Sequence, residues 1–340
     1  MHIKHIKYVD KTEATGRLRG IYDHIKLNFG QLAEPFVLHS LNEELTAGVW
    51  ATLYETVLIE NNVKRSIKET VATCISEVNK CNYCADAHSI MILGTENKLQ
   101  DNIQFVKGGK SELKTKEDKL ILWALNNLKF DNYIILAPPF NKSEIPETIG
   151  TAVLFHYINR MVNIFALDTP LPTSKLKNLL KYFASNFIFK KAIKKKKVKG
   201  DSLKFIDISE NSGSFEWANE IPEIQNAFKY LKFYTEINIK KVLSSELITE
   251  LVKQASNLNL LRPTFGNKGL SDFLEHIKPA EKQIAEFSFL TMFETYKIQE
   301  KHINALKQTL TDKNILKIAS YVSLLVSESI GNKLYENCEY

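Results

Sequence analysis

Residues 63–88 read VKRSIKETVATCISEVNKCNYCADAH. Val63, Ile67, Val71, Cys74 and Val78 recur at steps of three and four, the spacing that lines side chains along one face of an α-helix. A helix over Val63–Asn79 is expected. It runs directly into a second one from Cys81 to Leu93, which Gly94 stops. Outward from this pair the same period continues. Leu18, Ile21, Tyr22, Ile25 and Phe29 predict a helix from Ala14 to Gly30, with Gly30 as a left-handed C-cap. Leu45, Val49, Leu53 and Val57 predict another from Asn42 to Glu60.

Toward the C-terminus, helices are expected over Glu117–Leu128 and Ser143–Leu167, with Pro138 and Pro139 breaking the chain between them and Pro170 and Pro172 ending the second. Further helical segments are expected near Pro222–Glu236, Ser245–Asn257, Ser271–Lys297 and Thr311–Leu325. Composition agrees. Only 13 glycines and 9 prolines occur in 340 residues, while Leu, Ile, Lys, Glu and Asn abound, which favours long helices over turn-rich β architecture. The expected fold is all-α.

The length suits two domains, and 44% hydrophobic residues furnish a core for each. The division expected is a helical domain over 1–172, a lysine-rich connection over 173–213, and a C-terminal helical domain over 214–340. Seven of the ten residues from Lys190 to Lys199 are lysine. This run reads as a solvated linker, and with no aromatic interleaving or nucleic-acid motif, no nucleic-acid partner is expected. A faint echo joins the halves. Asp118-Lys119, followed later by Asn159-Arg160, is mirrored by Glu281-Lys282 and Asn332-Lys333, which raises an internal duplication. The second half has no Cys-x-x-Cys, so it would be a degenerate copy.

Met1 to Lys7 carries charge without an apolar run behind it, so a secretory signal is not expected. No stretch reaches the ~18 apolar residues of a membrane span. The expected location is the cytoplasm, without a membrane partner. The cysteines stand at 74, 81, 84 and 338. In a reducing compartment a close pair points to redox chemistry or a metal rather than to a structural disulfide.

The reactive groups of the quoted stretch fall at Glu69, Cys81, Cys84 and His88. On a helix beginning near residue 80, positions 81, 84 and 88 share one face. Cysteines in a first turn feel unpaired N–H groups and the positive end of the helix dipole, which favour thiolate. His88 can take the thiol proton, and Glu69 can orient the imidazole or relay that proton. A thiolate that attacks an O–O bond becomes a sulfenic acid, and a second thiol two residues away condenses with it to a disulfide. Cys84, beside His88, is expected to be the peroxidatic thiol. Cys81, in an exposed and fraying first turn, is expected to resolve it and to exchange with an outside reductant.

The pattern Glu69, Cys81, Cys84, His88, with the flanking Asn79, Tyr83 and the later Phe155-His156-Tyr157-Ile158-Asn159-Arg160, resembles the alkylhydroperoxidase D group of the carboxymuconolactone decarboxylase superfamily. The likeness is specific from about residue 40 to 167. It implies an all-helical fold, reduction of organic hydroperoxides or hydrogen peroxide with a dithiol or redox protein as reductant, no cofactor, and a homo-oligomer. Carried over by position, Glu69, Cys81, Cys84 and His88 are the catalytic set. Two departures stand out. Some members carry a histidine where Tyr83 stands, and family domains are often half this length or less.

Competing readings are a lactone decarboxylase of the same superfamily, which has no need of two vicinal thiols, and a non-enzymatic redox sensor. Zinc on Cys81, Cys84 and His88 would want a fourth ligand, and none follows at a normal spacing. Cys74 lies on an apolar stripe and reads as a small buried hydrophobe. His156, Tyr157, Asn159 and Arg160 interrupt an apolar helix, either to line a pocket or to make interhelical hydrogen bonds.

Overall fold

Leu18, Ile21, Tyr22 and Ile25 are buried along one face of α1 (Gly16–Phe29), and Gly30 closes it in the left-handed conformation, with its N–H on Lys26 O. α2 (Glu43–Leu53) starts at Asn42, whose side chain accepts the Leu45 N–H. It does not run on to residue 60 as an α-helix. Tyr54–Leu58 widen into a π-helical turn, and Ile59 is extended. The 63–88 stretch forms a helical hairpin of α3 (Arg65–Val78) and α4 (Asn82–Thr95). Lys80 takes a positive φ of 54° at its bend, and Cys81 N donates to Ser76 O at 2.8 Å.

The computed structural model describes residues 1–95, 98–108, 115–167, 192, 195–261 and 268–338. α5 (Lys98–Lys107) follows, then α6 (Lys116–Leu125), opened by a reciprocal Thr115–Asp118 cap. α7 (Ile145–Phe165) is buried at every residue but Asn163. The second half contains α8 (Pro222–Ile239), α9 (Ser245–Ser256), α10 (Lys268–Glu275), α11 (Lys282–Phe293), α12 (Glu300–Leu306) and α13 (Asp312–Glu336). The single helix expected over Ser271–Lys297 is split, because Pro279 lacks the N–H that would continue it and instead opens a short 3-10 turn. No strand forms among the described residues beyond an isolated bridge between Ile3 and Ala166. The fold is all-α.

α7 lies at the centre, with α3 packed on it from the first half and α13 from the second, while α2 packs on α8. One continuous apolar core draws on both halves. The helices meet closely. A Cβ at Gly331 of α13 would stand 2.3 Å from Val153 of α7, and one at Gly48 of α2 would stand 3.3 Å from the Leu231 backbone of α8. The start of α7 is tied to α3 by a buried ion pair, Lys68 Nζ to Glu147 Oε1 at 2.5 Å. The same carboxylate accepts the N–H groups of Asn61, Asn62 and Val63.

Beyond residue 195 the chain returns to the first half. Tyr54 Oη donates to Val198 O at 3.1 Å, and Glu55 accepts from Gly200 N at 2.9 Å and Ser202 Oγ at 2.5 Å. The end of the lysine run is therefore anchored on the π-helical turn rather than loose in solvent. The earlier part of the expected connection, 173–191 and 193–194, lies outside the described residues. Among the described residues no helix is long and apolar enough to cross a membrane.

Candidate active site

The hairpin brings Glu69 of α3 to His88 of α4, with Nδ1–H donating to Oε2 at 2.5 Å. The imidazole rests edge-on against Phe155 of α7, ring centroids 4.6 Å apart. The sequence reading had Glu69 orient the imidazole or relay its proton, and the structure pairs the two directly. Burial by itself raises the Glu69 carboxyl, but His88 and then Arg65 outweigh it and hold the group below the usual carboxylate range. Arg65, one turn earlier on α3, donates from Nε to the other Glu69 oxygen at 3.0 Å. It was not among the residues read from the sequence. The four-residue step from Arg65 to Glu69 was the available signal.

Cys81 sits at the start of α4 and Cys84 within its first turn, and all four cysteines are free thiols. Neither of the pair is exposed, with 0% of Cys81 and 1% of Cys84 accessible. Cys81 itself is buried rather than exposed, although Lys80 and Asn82 beside it are exposed, and distant segments meet the bend. Asn163 Nδ2 donates to Asn79 O at 3.2 Å and to Thr295 Oγ1 at 3.1 Å, and Lys80 Nζ lies 4.4 Å from the Tyr296 ring centroid. Tyr83 Oη donates to Glu34 Oε2 at 2.6 Å on another side.

The helix-terminus argument also fails in its simple form. Burial, and then the hydrogen bond to Cys81 and its charge, push the Cys84 thiol well up, while a hydrogen bond from Asn159 pulls it down. Cys84 thus rests as a neutral thiol.

His156, Asn159 and Arg160 make interhelical hydrogen bonds. Asn79 Nδ2 donates to His156 Nδ1 at 3.0 Å and to Asn159 Oδ1 at 2.9 Å, and His156 Nε2–H donates to Asn127 Oδ1 at 2.6 Å. Asn159 Nδ2 donates to Ser76 Oγ at 3.0 Å. The amide therefore holds the hairpin against α7 and reaches Cys84 as well. Arg160 Nε donates to Met292 O at 2.9 Å, and burial brings its pKa down to about 9. Tyr157 Oη lies between His39 Nε2 at 2.8 Å and Ser320 Oγ at 2.7 Å. Cys74 is buried on the α3 stripe, and burial pushes its thiol far up. Among the described residues no group of three or more His, Cys, Asp or Glu side chains is arranged to hold a metal ion.

Comparison with known proteins finds a relative in Mycobacterium tuberculosis named alkyl hydroperoxide reductase. It is 26% identical over 234 residues, covering 69% of this chain and 67% of its own length. No family model matches the chain, and no solved structure does. The relative supports a distant kinship with alkyl hydroperoxide reductases.

Proposed function

We propose that this chain is a thiol-dependent peroxidase of the alkylhydroperoxidase D type, cycling between the Cys81 and Cys84 thiols and their disulfide. The observation that carries this reading is the buried Glu69–His88 pair set one helical turn from Cys84. With Nδ1–H bound to Glu69, the imidazole keeps Nε2 to accept the Cys84 proton, and the imidazolium that forms lies against a carboxylate already held ionised. Asn159 donates to the thiolate. The thiolate then attacks the peroxide: an S–O bond forms, the O–O bond breaks, and the departing alkoxide takes the proton from His88 to leave as alcohol. Cys84 is now a sulfenic acid. Cys81 attacks it, an S–S bond forms and water leaves, and an external dithiol returns both thiols while becoming a disulfide itself. A thiol that stays neutral until His88 deprotonates it is protected from stray oxidants, which suits a buried cysteine.

We also infer that the second half is a degenerate copy of the first. Matching α2 to α8, α3 to α9, α6 to α11 and α7 to α13 makes α2 pack on α8 and α7 on α13, like on like. It also matches the α3–α6 and α3–α7 contacts to α9–α11 and α9–α13. The copy has no cysteine on α9 or α10. Its role is to cover α7 and the hairpin bend and to support assembly into a homo-oligomer.

The test is consumption of hydrogen peroxide and an alkyl hydroperoxide by purified protein supplied with a dithiol, run beside a variant lacking Cys81 and Cys84. Turnover by the wild type alone is expected. Equal consumption by both would remove the proposal, and a single oxidation without turnover would make the chain a sensor.

A further inference from the structure

We propose that Arg65 and Lys197 form an anion subsite that takes the carboxylate of an organic hydroperoxide while its O–O bond lies at Cys84. The inference rests on the peroxidase reading and narrows it to hydroperoxides that carry an acid group.

A guanidinium offers five N–H donors. In Arg65, which is only 4% exposed, Nε serves Glu69 and Nη2 faces the Met91 sulfur at 3.8 Å, a weak acceptor. Nη1 is buried and has no hydrogen-bond partner among the described residues. Buried charged donors are seldom left so, because the missing bond costs their full desolvation. The pairing with Glu69 explains the presence of a cation, but not a free fork.

Lys197 adds a second cation. Among the described residues its Nζ bonds to backbone carbonyls, those of Ala192 and of Lys195, the latter at 2.7 Å. Burial first, and then the nearby charge of Arg65, bring its pKa down to about 8. Glu60 Oε1 accepts the Arg65 backbone N–H at 2.7 Å rather than the guanidinium. When His88 takes up the thiol proton, Glu69 is shared between Arg65 and an imidazolium, so the cluster gains further need of an anion.

Position selects the ligand. Met91, beside the free fork, lies seven residues beyond Cys84 on α4, and the helical rise sets their backbones about 10 Å apart along the axis, so the fork and the sulfur stand at separate levels. A free phosphate held there would not reach the thiol. A carboxylate joined to a hydroperoxide by a medium-length alkyl chain spans both, with Met91 and Phe155 as apolar neighbours.

The experiment compares kcat/KM for linoleic acid hydroperoxide and for its methyl ester in wild type, Lys197→Gln and Arg65→Gln, with a dithiol as reductant. The acid is expected to be preferred by about tenfold in wild type, and the acid-to-ester ratio to fall toward one in both variants. The ratio cancels any general loss of activity. Calorimetric binding of octanoate against 1-octanol supplies a readout free of turnover, with octanoate binding to wild type and weakened in Lys197→Gln. A wild-type ratio of one, or a ratio unchanged in both variants, overturns the subsite. If no hydroperoxide is reduced at all, the peroxidase reading fails, and octanoate that binds no better than octanol then removes the subsite too.

Discussion

Cys84 is kept protonated by burial, so its reactivity depends on what surrounds it more than on the helix terminus it occupies. Cys84→Ser is expected to abolish peroxide reduction. Cys81→Ser should react once and leave a sulfenic acid on Cys84 that dimedone labels. Dimedone on Cys81 in the Cys84→Ser protein would reverse the two roles. His88→Ala and Glu69→Gln should each slow turnover by ~10²-fold, the usual reach of a positioned acid or base. Glu69→Gln has a second signature in stability. The Glu69 pKa is depressed in the folded protein, so its contribution is present above the usual carboxylate range and is lost as pH falls through the lower folded value. The variant, which leaves Arg65 uncompensated, should be less stable than wild type by about 3 kcal/mol at neutral pH. Denaturant unfolding across the pH range should show that gap closing below about pH 4. A gap that widens on acidification would mean that the carboxyl is protonated at rest. The Glu69–His88 contact, and the placing of Cys81 and Cys84 on the same hairpin, were legible because spacing along α3 and α4 carries that geometry. Arg65 was not singled out, and Asn159 was read only as part of a polar insert with two possible uses, since an arginine on a helix or an asparagine in such an insert has many ordinary roles. Only contacts distinguish them.

At the level of elements, periodicity found α1 and α3, because each buries an apolar face whose step of three and four survives in the residues; α4 and α7 were read from their apolar content and the glycine or prolines that follow them. It missed the π-helical turn at Tyr54–Leu58, where apolar residues continue at helical spacing while the backbone opens to let Tyr54 and Glu55 bind Val198, Gly200 and Ser202 from far along the chain. It also read through Pro279. The burial of Cys81 was illegible for the same reason as the π-turn: the segments that meet at the bend, around Asn163 and Thr295–Tyr296, are remote in sequence. Close helix crossings are a feature that sequence hints at only through small residues. Gly331 is the sharpest, since its Cβ would collide with Val153 across the α7–α13 contact. Gly331→Ala should cost about 1–3 kcal/mol by overpacking. Thermal or denaturant unfolding reads this directly, and an unchanged midpoint would show that α13 slides without penalty.

In the whole molecule, the second half gives α7 its other side. Tyr157 bonds to Ser320, Arg160 to Met292 O, and Asn163 to Thr295, so polar groups of the central helix find partners that the first half does not supply. Removing everything after about residue 200 would strip α13 from α7 and bare an apolar face along with these groups. Such a face does not stand exposed in water. The polar groups would cost further, because they would lose these hydrogen-bond partners. The truncated chain is therefore expected to be insoluble or to change its assembly state, with the hairpin sequence carrying Cys81 and Cys84 intact. Sedimentation or size-exclusion analysis beside a peroxide assay decides the point. A truncated protein that stays soluble, keeps the assembly state of the full chain and turns over peroxide at the full rate would show that the second half neither covers α7 in any necessary way nor takes part in assembly.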